Sequence, residues 1–309
     1  MFTGKDFWKN YMVQWFGEEL IFKWEKYAQV AIIKSNNKNI HLEIYSNSNK
    51  NSPTIIFSHG IAGYARVLLP FIFPLFEKGY NFVVPDLQGY GYNEGLKGDF
   101  EWNAHVQNLI DTVDYAKKNF NGKIIIGGAS MGGPLAYAAS CMIPDKIDAL
   151  ICYCLWDFSD REFMLKETNT GRFTYILLPL FKLLSKLIGN IRMKTYSLIS
   201  YDTLTNSKEF NNLLKKDPQA GTLITIKGAL SLLLQSKPKI IHNEFNIPTL
   251  VIQPGEDRMT PKSYTKKTFD NIGSVTKKYI ELDGSCHFPI ENKYYETWAL
   301  EVDKFIKEL

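Results

Sequence analysis

The chain has 309 residues, of which 45% are hydrophobic, 14% aromatic and 22% charged, a composition that buries a large core and excludes intrinsic disorder. Its formal net charge is only +4, and the lysines are scattered in pairs such as Lys215-Lys216, Lys266-Lys267 and Lys277-Lys278, which argues against nucleic acid as a partner. Four cysteines, Cys141, Cys152, Cys154 and Cys286, have neither disulfide-scaffold nor zinc spacing and favour a reducing compartment, with Cys152 and Cys154 expected on one face of one strand.

Residues 1–26 form an aromatic N-terminal arm, with Phe7, Tyr11, Val13, Trp15 and Phe16 at a spacing that suits an irregular or helical segment packed on the core. The arm lacks a basic stretch followed by an apolar run and a small-residue cleavage site, so a cytoplasmic protein is expected. Tyr27 to Ile33 and Ile40 to Tyr45 read as a β-hairpin around Ser35-Asn36-Asn37-Lys38-Asn39. Thr54 to Ser58 is a continuous apolar strand, the pattern of a parallel sheet covered on both faces, and it ends in His59-Gly60-Ile61-Ala62-Gly63. A helix from Tyr64 to Lys78 must bend or divide at Pro70 and Pro74. Asn81 to Pro85 is the next strand, ending in Asp86-Leu87-Gln88-Gly89-Tyr90-Gly91, and Glu101 to Asn119 has amphipathic helical spacing.

Lys123 to Gly133, KIIIGGASMGG, is the stretch with the clearest chemistry. A strand runs into Gly128-Ala129-Ser130-Met131-Gly132, and a helix follows at once with Pro134 in its first turn. Glycine on both sides of the turn, at Gly128 and Gly132, leaves room for a sharply exposed Ser130 at the carboxyl end of a strand. Serine is a weak nucleophile, so it needs a base, and the base needs a carboxylate to fix its tautomer.

Ile147 to Leu155 is a further strand, and from 156 to 237 the alternation stops. These residues read as a helical cap without a clear strand. Its two apolar runs, Tyr175 to Ile188 and Leu223 to Leu234, are expected to be helical and to offer a pocket for an acyl or alkyl group or to pack on each other. Alternation resumes with Ile247 to Gln253, which delivers Asp257, and with Lys277 to Leu282, which delivers His287; Glu291 to Glu308 closes the chain as an amphipathic helix. Asp257 and His287 are the expected acid and base, with Glu256 as the competitor for the acid. His59 is expected to brace its loop, and His41, His105 and His242 have no metal-ligand spacing. The domain expectation is an arm, 1–26, an α/β core, 27–155 with 238–309, and a cap, 156–237.

Five motifs, His59 to Gly63, Asp86 to Gly91, Gly128 to Gly133, Asp257-Arg258 and Gly284 to Phe288, occur in one order along the chain. In that order they resemble the α/β-hydrolase superfamily, and within it the monoglyceride-lipase or lysophospholipase-like serine hydrolases. The resemblance covers Pro53 to Leu309 except the cap, with Ala129 where relatives commonly carry histidine and Gln88 where they commonly carry arginine. It implies a mostly parallel sheet flanked by helices, catalysis by Ser130, Asp257 and His287, and an oxyanion hole from the backbone N–H groups of Ile61 and Met131. No zinc, haem, phosphate-loop or dinucleotide motif is present, so no cofactor and no metal are expected. The expected substrate is a carboxylic ester, whether an acylglycerol, a lysophospholipid or a small acyl ester, with contact to a lipid surface through the cap or arm. A hydrolase of acyl-homoserine lactones or of other lactones or amides with the same three residues, and a non-catalytic ligand-binding protein on this scaffold, are the alternatives; the oligomeric state is not fixed by the sequence.

Overall fold

The computed structural model describes residues 2–160, 165, 179, 183, 185–197 and 199–309. Its strands in chain order are β1 (Ala28–Ser35), β2 (Lys38–Tyr45), β3 (Thr54–Ser58), β4 (Asn81–Pro85), β5 (Ile124–Ala129), β6 (Ala149–Tyr153), β7 (Arg192–Lys194), β8 (Leu223–Thr225), β9 (Thr249–Pro254) and β10 (Lys277–Leu282). The main sheet has the order β1-β2-β4-β3-β5-β6-β9-β10. Strands β1 and β2 form an antiparallel hairpin, closed by Asn36 and Asn37 at positive φ, a conformation asparagine tolerates in a tight turn. Strand β2 meets β4 antiparallel, and from β4 to β10 every neighbouring pair is parallel.

Strands β3, β4, β5, β6 and β9 are buried along their whole length, because helices cover both faces. One apolar cluster joins Phe57, Phe71, Tyr153 and Trp298, and the other joins Ile56, Ile126, Leu109 and Cys152. The helices described over their whole length are α1 (Lys9–Phe16), α2 (Glu18–Tyr27), α3 (Leu69–Phe76), α4 (Trp102–Asn119), α5 (Gly132–Ser140), α6 (Lys208–Lys216), α7 (Ile226–Leu234), α8 (Lys262–Asn271) and α9 (Asn292–Glu308). The expected division near Pro70 takes the form of a 3-10 turn, Ala65–Leu68, leading into α3. Among the described residues no helix is long and apolar enough to cross a membrane.

The chain visits β3, then β4 on one side of it, then β5 on the other. That reversal opens a crevice at the carboxyl ends of β3 and β5, the place where sheets of this kind bind ligands. Strands β3 and β5 pair from Thr54↔Ile124 to Ser58↔Gly128, so the loops that follow, His59 to Gly63 and Ser130 onward, leave side by side.

Three expectations need correction. The segment 156–237 does contain strands: β7 and β8 pair antiparallel, Met193 opposite Ile224. The run from Leu223 to Leu234 is therefore strand first and helix second, because the Thr225 hydroxyl accepts from Gly228 N–H at 3.1 Å and caps α7. The other run, Tyr175 to Ile188, lies outside the described residues apart from Pro179, Leu183 and 185–188. Cys152 and Cys154 do not share a strand face: β6 ends at Tyr153, and Cys154 has φ +68°, which breaks the alternation and turns its thiol into the cluster opposite that of Cys152.

Candidate active site

The turn after β5 is tight for a packing reason. A Cβ on Gly128 would run into the Gly132 backbone, and one on Gly132 would run into the Ser58 carbonyl of β3. Ser130 sits between them at φ +55°, a conformation disfavoured for a residue with a Cβ and held here by neighbouring bonds. Its N–H donates to the Tyr153 carbonyl at 2.9 Å, and its own carbonyl accepts from Gly133 N–H at 2.9 Å.

Asp257 and His287 leave adjacent parallel strands, β9 and β10, and their loops are bonded to each other. Gly255 N–H donates to the Leu282 carbonyl at 2.9 Å and Glu256 N–H to the Ser285 carbonyl at 2.8 Å. This brings His287 Nδ1 to 2.8 Å from Asp257 Oδ2 and His287 Nε2 to 2.9 Å from Ser130 Oγ. With Nδ1–H given to the carboxylate, Nε2 is left to accept from the serine hydroxyl. Glu256 is exposed and points elsewhere, so of the two adjacent acids Asp257 is the one that meets the imidazole.

The Asp257 carboxylate is fully buried and densely bonded. Oδ1 accepts from the N–H groups of Met259 and Thr260, each at 2.8 Å. Oδ2 also faces the Cys154 thiol at 3.5 Å and the Gln253 amide at 3.4 Å. Burial pushes its pKa up, but the adjacent His287 and those two N–H donors outweigh burial and hold it below the ordinary carboxylate range. Burial keeps the Cys154 thiol protonated, its pKa well above the usual value, so it acts as a donor. The strand reading of the sequence, which pairs Cys154 with Cys152 on one face, gives no sign of this contact. Cys154, Asp257 and His287 are also the one group among the described residues whose metal-ligand-type atoms lie within 4.8 Å of one another; those atoms are engaged in the hydrogen bonds just described.

Ile61 lies in the turn after β3, beside Gly60, where a Cβ would come within 2.8 Å of the Ser130 Cβ. Met131 follows Ser130 and is buried at the start of α5. Among the described residues no carbonyl accepts from the N–H of either Ile61 or Met131. His59 fixes the β3 turn as expected: Leu87 N–H donates to its Nε2 at 3.0 Å, which leaves Nδ1–H to donate to the Gly60 carbonyl at 2.8 Å. Burial lowers its pKa, in keeping with a neutral structural ring. The other histidines stand apart from Ser130. His41 lies against Asp86 at 3.0 Å, His105 stacks on Phe100 with its pKa pushed down by burial to about 3, and His242 bridges Tyr137 and Asp157.

A cavity with about 670 Å³ of atom-free space, part of it continuous with solvent, opens beside Ser130 and His287. Leu68 and Phe71 line it from the core side. Ile199, Tyr201, Leu204, Phe210 and Leu214 close it from the 156–237 segment, so neither apolar run singled out in the sequence supplies a wall among the described residues. That segment is tied down beside His287: Phe288 N–H donates to the Leu204 carbonyl at 2.8 Å, and the Arg258 guanidinium to the carbonyls of Asp202 and Thr205. No Asp, Glu, Lys or Arg side chain is among the described residues lining the cavity.

Residues 49–292 match the model of the Hydrolase_4 family, described as serine aminopeptidase, S33. A phospholipase of Bacillus subtilis, YtpA, is 23% identical over 252 residues, which cover 75% of this chain and 86% of that protein. Among solved structures, a soluble variant of monoglyceride lipase from Saccharomyces cerevisiae superposes with a TM-score of 0.72 at 14% identity, covering 91% of this chain and 94% of the other. A thermostable carboxyl esterase from Bacillus coagulans gives 0.70 at 16% identity, covering 91% and 99%. These likenesses show the α/β-hydrolase fold.

Proposed function

The chain belongs to the Hydrolase_4 family of α/β-fold hydrolases, and from that membership we propose that it cleaves carboxylic esters with neutral apolar acyl groups through an acyl-enzyme on Ser130. The observation that carries the reading is the continuous hydrogen-bonded run from Ser130 Oγ through His287 to Asp257 Oδ2.

In this scheme His287 Nε2 takes the proton of the Ser130 hydroxyl as Oγ attacks the ester carbonyl. Asp257 holds the ring with Nδ1 protonated and stabilises the imidazolium that forms. The N–H groups of Ile61 and Met131 hold the tetrahedral oxyanion. His287 then returns the proton to the leaving alcohol. Water, activated by the same Nε2, attacks the Ser130 acyl ester and releases the acid.

The cavity narrows the substrate class. A peptide α-ammonium group held in an apolar site needs a carboxylate partner, and none is among the described residues of the lining, despite the aminopeptidase in the family's description. An uncharged acyl chain leaves no buried charge unpaired. The phospholipase and monoglyceride lipase among the similar proteins agree with that class.

A panel of p-nitrophenyl esters and amino-acid p-nitroanilides tests both parts. Ester turnover by the wild type is expected, falling by about 10⁴-fold or more in Ser130→Ala, with no comparable cleavage of the anilides. Wild-type rates in a folded Ser130→Ala variant would refute the mechanism, and a preference for the free-amine anilides would refute the substrate class.

A further inference from the structure

The family match begins at residue 49, so the arm and hairpin lie outside it, yet α1 stands directly behind the wall of the cavity. Phe210, in α6, is fully buried and lines the cavity. It also meets two arm rings that are not among the described residues lining the cavity: Tyr11 at 5.3 Å and Trp15 at 5.2 Å between ring centres, both T-shaped. Phe288, the neighbour of His287, packs against the same ring at 5.7 Å.

The arm also fixes the end of α6. Asp217 follows its last residue and is 2% exposed. Its Oδ2 accepts from the Tyr11 hydroxyl at 2.7 Å and from the Tyr64 hydroxyl of the core at 2.8 Å. Four residues on, Gly221 N–H donates to the Ala62 carbonyl, next to Ile61. Helix α6 is thus held between the arm and the core, with Phe210 unable to recede while Tyr11 and Trp15 stay in place.

We propose that Tyr11 and Trp15 are positioning residues that set the depth of the acyl site by backing Phe210. The arm, an element outside the matched family region, would then act as a selector of acyl-chain length. This deepens the ester-hydrolase reading and rests on it. The physical basis is packing: interiors are close-packed, so a ring removed from behind a wall lets the wall relax outward. Each further methylene buried by the substrate is worth about fourfold in kcat/KM.

The test uses the full chain with Trp15→Ala and p-nitrophenyl esters from butyryl to dodecanoyl. Expected is a rise of about tenfold or more in the decanoyl-to-butyryl ratio of kcat/KM, carried by a lower KM for the long esters with kcat for butyryl little changed. Trp15→Phe, which keeps a ring behind Phe210, should restore the wild-type profile. Trp15→Leu gives the same comparison if the alanine variant does not fold. An equal loss at every chain length, or an unmoved profile in a folded variant, overturns the inference. Absence of ester turnover in the wild type would instead strike the ester-hydrolase reading, so the two failures are distinguishable.

Discussion

Two acids stand side by side after β9, and the backbone decides between them. Glu256 gives its N–H to the Ser285 carbonyl and stays in solvent, whereas Asp257 turns inward and spends its oxygens on Met259 N–H, Thr260 N–H, Cys154 and His287. Replacing Asp257 by Asn keeps the shape but offers an amide where the imidazole needs an acceptor for Nδ1–H, which favours the wrong tautomer. A fall of about 10⁴-fold in kcat for p-nitrophenyl butyrate is expected for Asp257→Asn, against less than about threefold for Glu256→Gln, an exposed change away from the network. Steady-state kinetics of the two variants checks this, and equal losses would mean that the network does not act through Asp257.

The serine, histidine and aspartate were legible in the sequence because each is announced locally by a glycine that permits a tight turn just after a strand. Cys154 was not, since its role follows from one positive φ immediately after β6, which no periodicity reports.

At the scale of elements, the central strands were the most legible part. Strands β3 and β4 coincide with the apolar runs at Thr54 and Asn81, because burial on both faces writes a continuous apolar signal; β10, a half-exposed edge strand of mixed residues, still falls at Lys277–Leu282 as read. The 156–237 segment was the least legible. Arg192–Lys194 pairs as a strand with only Met193 apolar, and the run from Leu223 hides a strand-to-helix change at Thr225 that composition alone does not mark. The cavity wall at Ile199, Tyr201 and Leu204 comes from short turns there, with no amphipathic period to reveal it.

The elbow is the element with the least tolerance. Gly132 stands against the Ser58 carbonyl of β3, so a larger side chain must push β3 and β5 apart. Gly132→Val is expected to lower stability by about 3 kcal/mol, the cost of an overpacked core site. Urea denaturation reads it as a lower midpoint. A midpoint equal to the wild type would show that the turn is looser than its packing indicates.

At the scale of the whole molecule, the fold puts residues that are far apart in the chain at one edge of one sheet. Ser130, Asp257 and His287 follow β5, β9 and β10, and the turn at Ile61 follows β3, all parallel strands whose carboxyl ends face the same way. Residues 199–214, in the insertion that follows β6, wall the cavity beside them, and the arm packs against Phe210 in that wall. The sequence conveyed this order of parts but not the contact between arm and wall, because Trp15 and Phe210 are nearly two hundred residues apart and each reads separately as a core residue.

Covalent labelling with a fluorophosphonate, followed by intact and peptide mass measurement, reads out whether Ser130 is the nucleophile. One adduct per chain is expected, on Ser130, absent in Ser130→Ala and slowed by about 10³-fold or more in His287→Ala, where the hydroxyl has lost its base. Rapid labelling at a residue other than Ser130, or no labelling of the folded wild-type protein, would contradict that role.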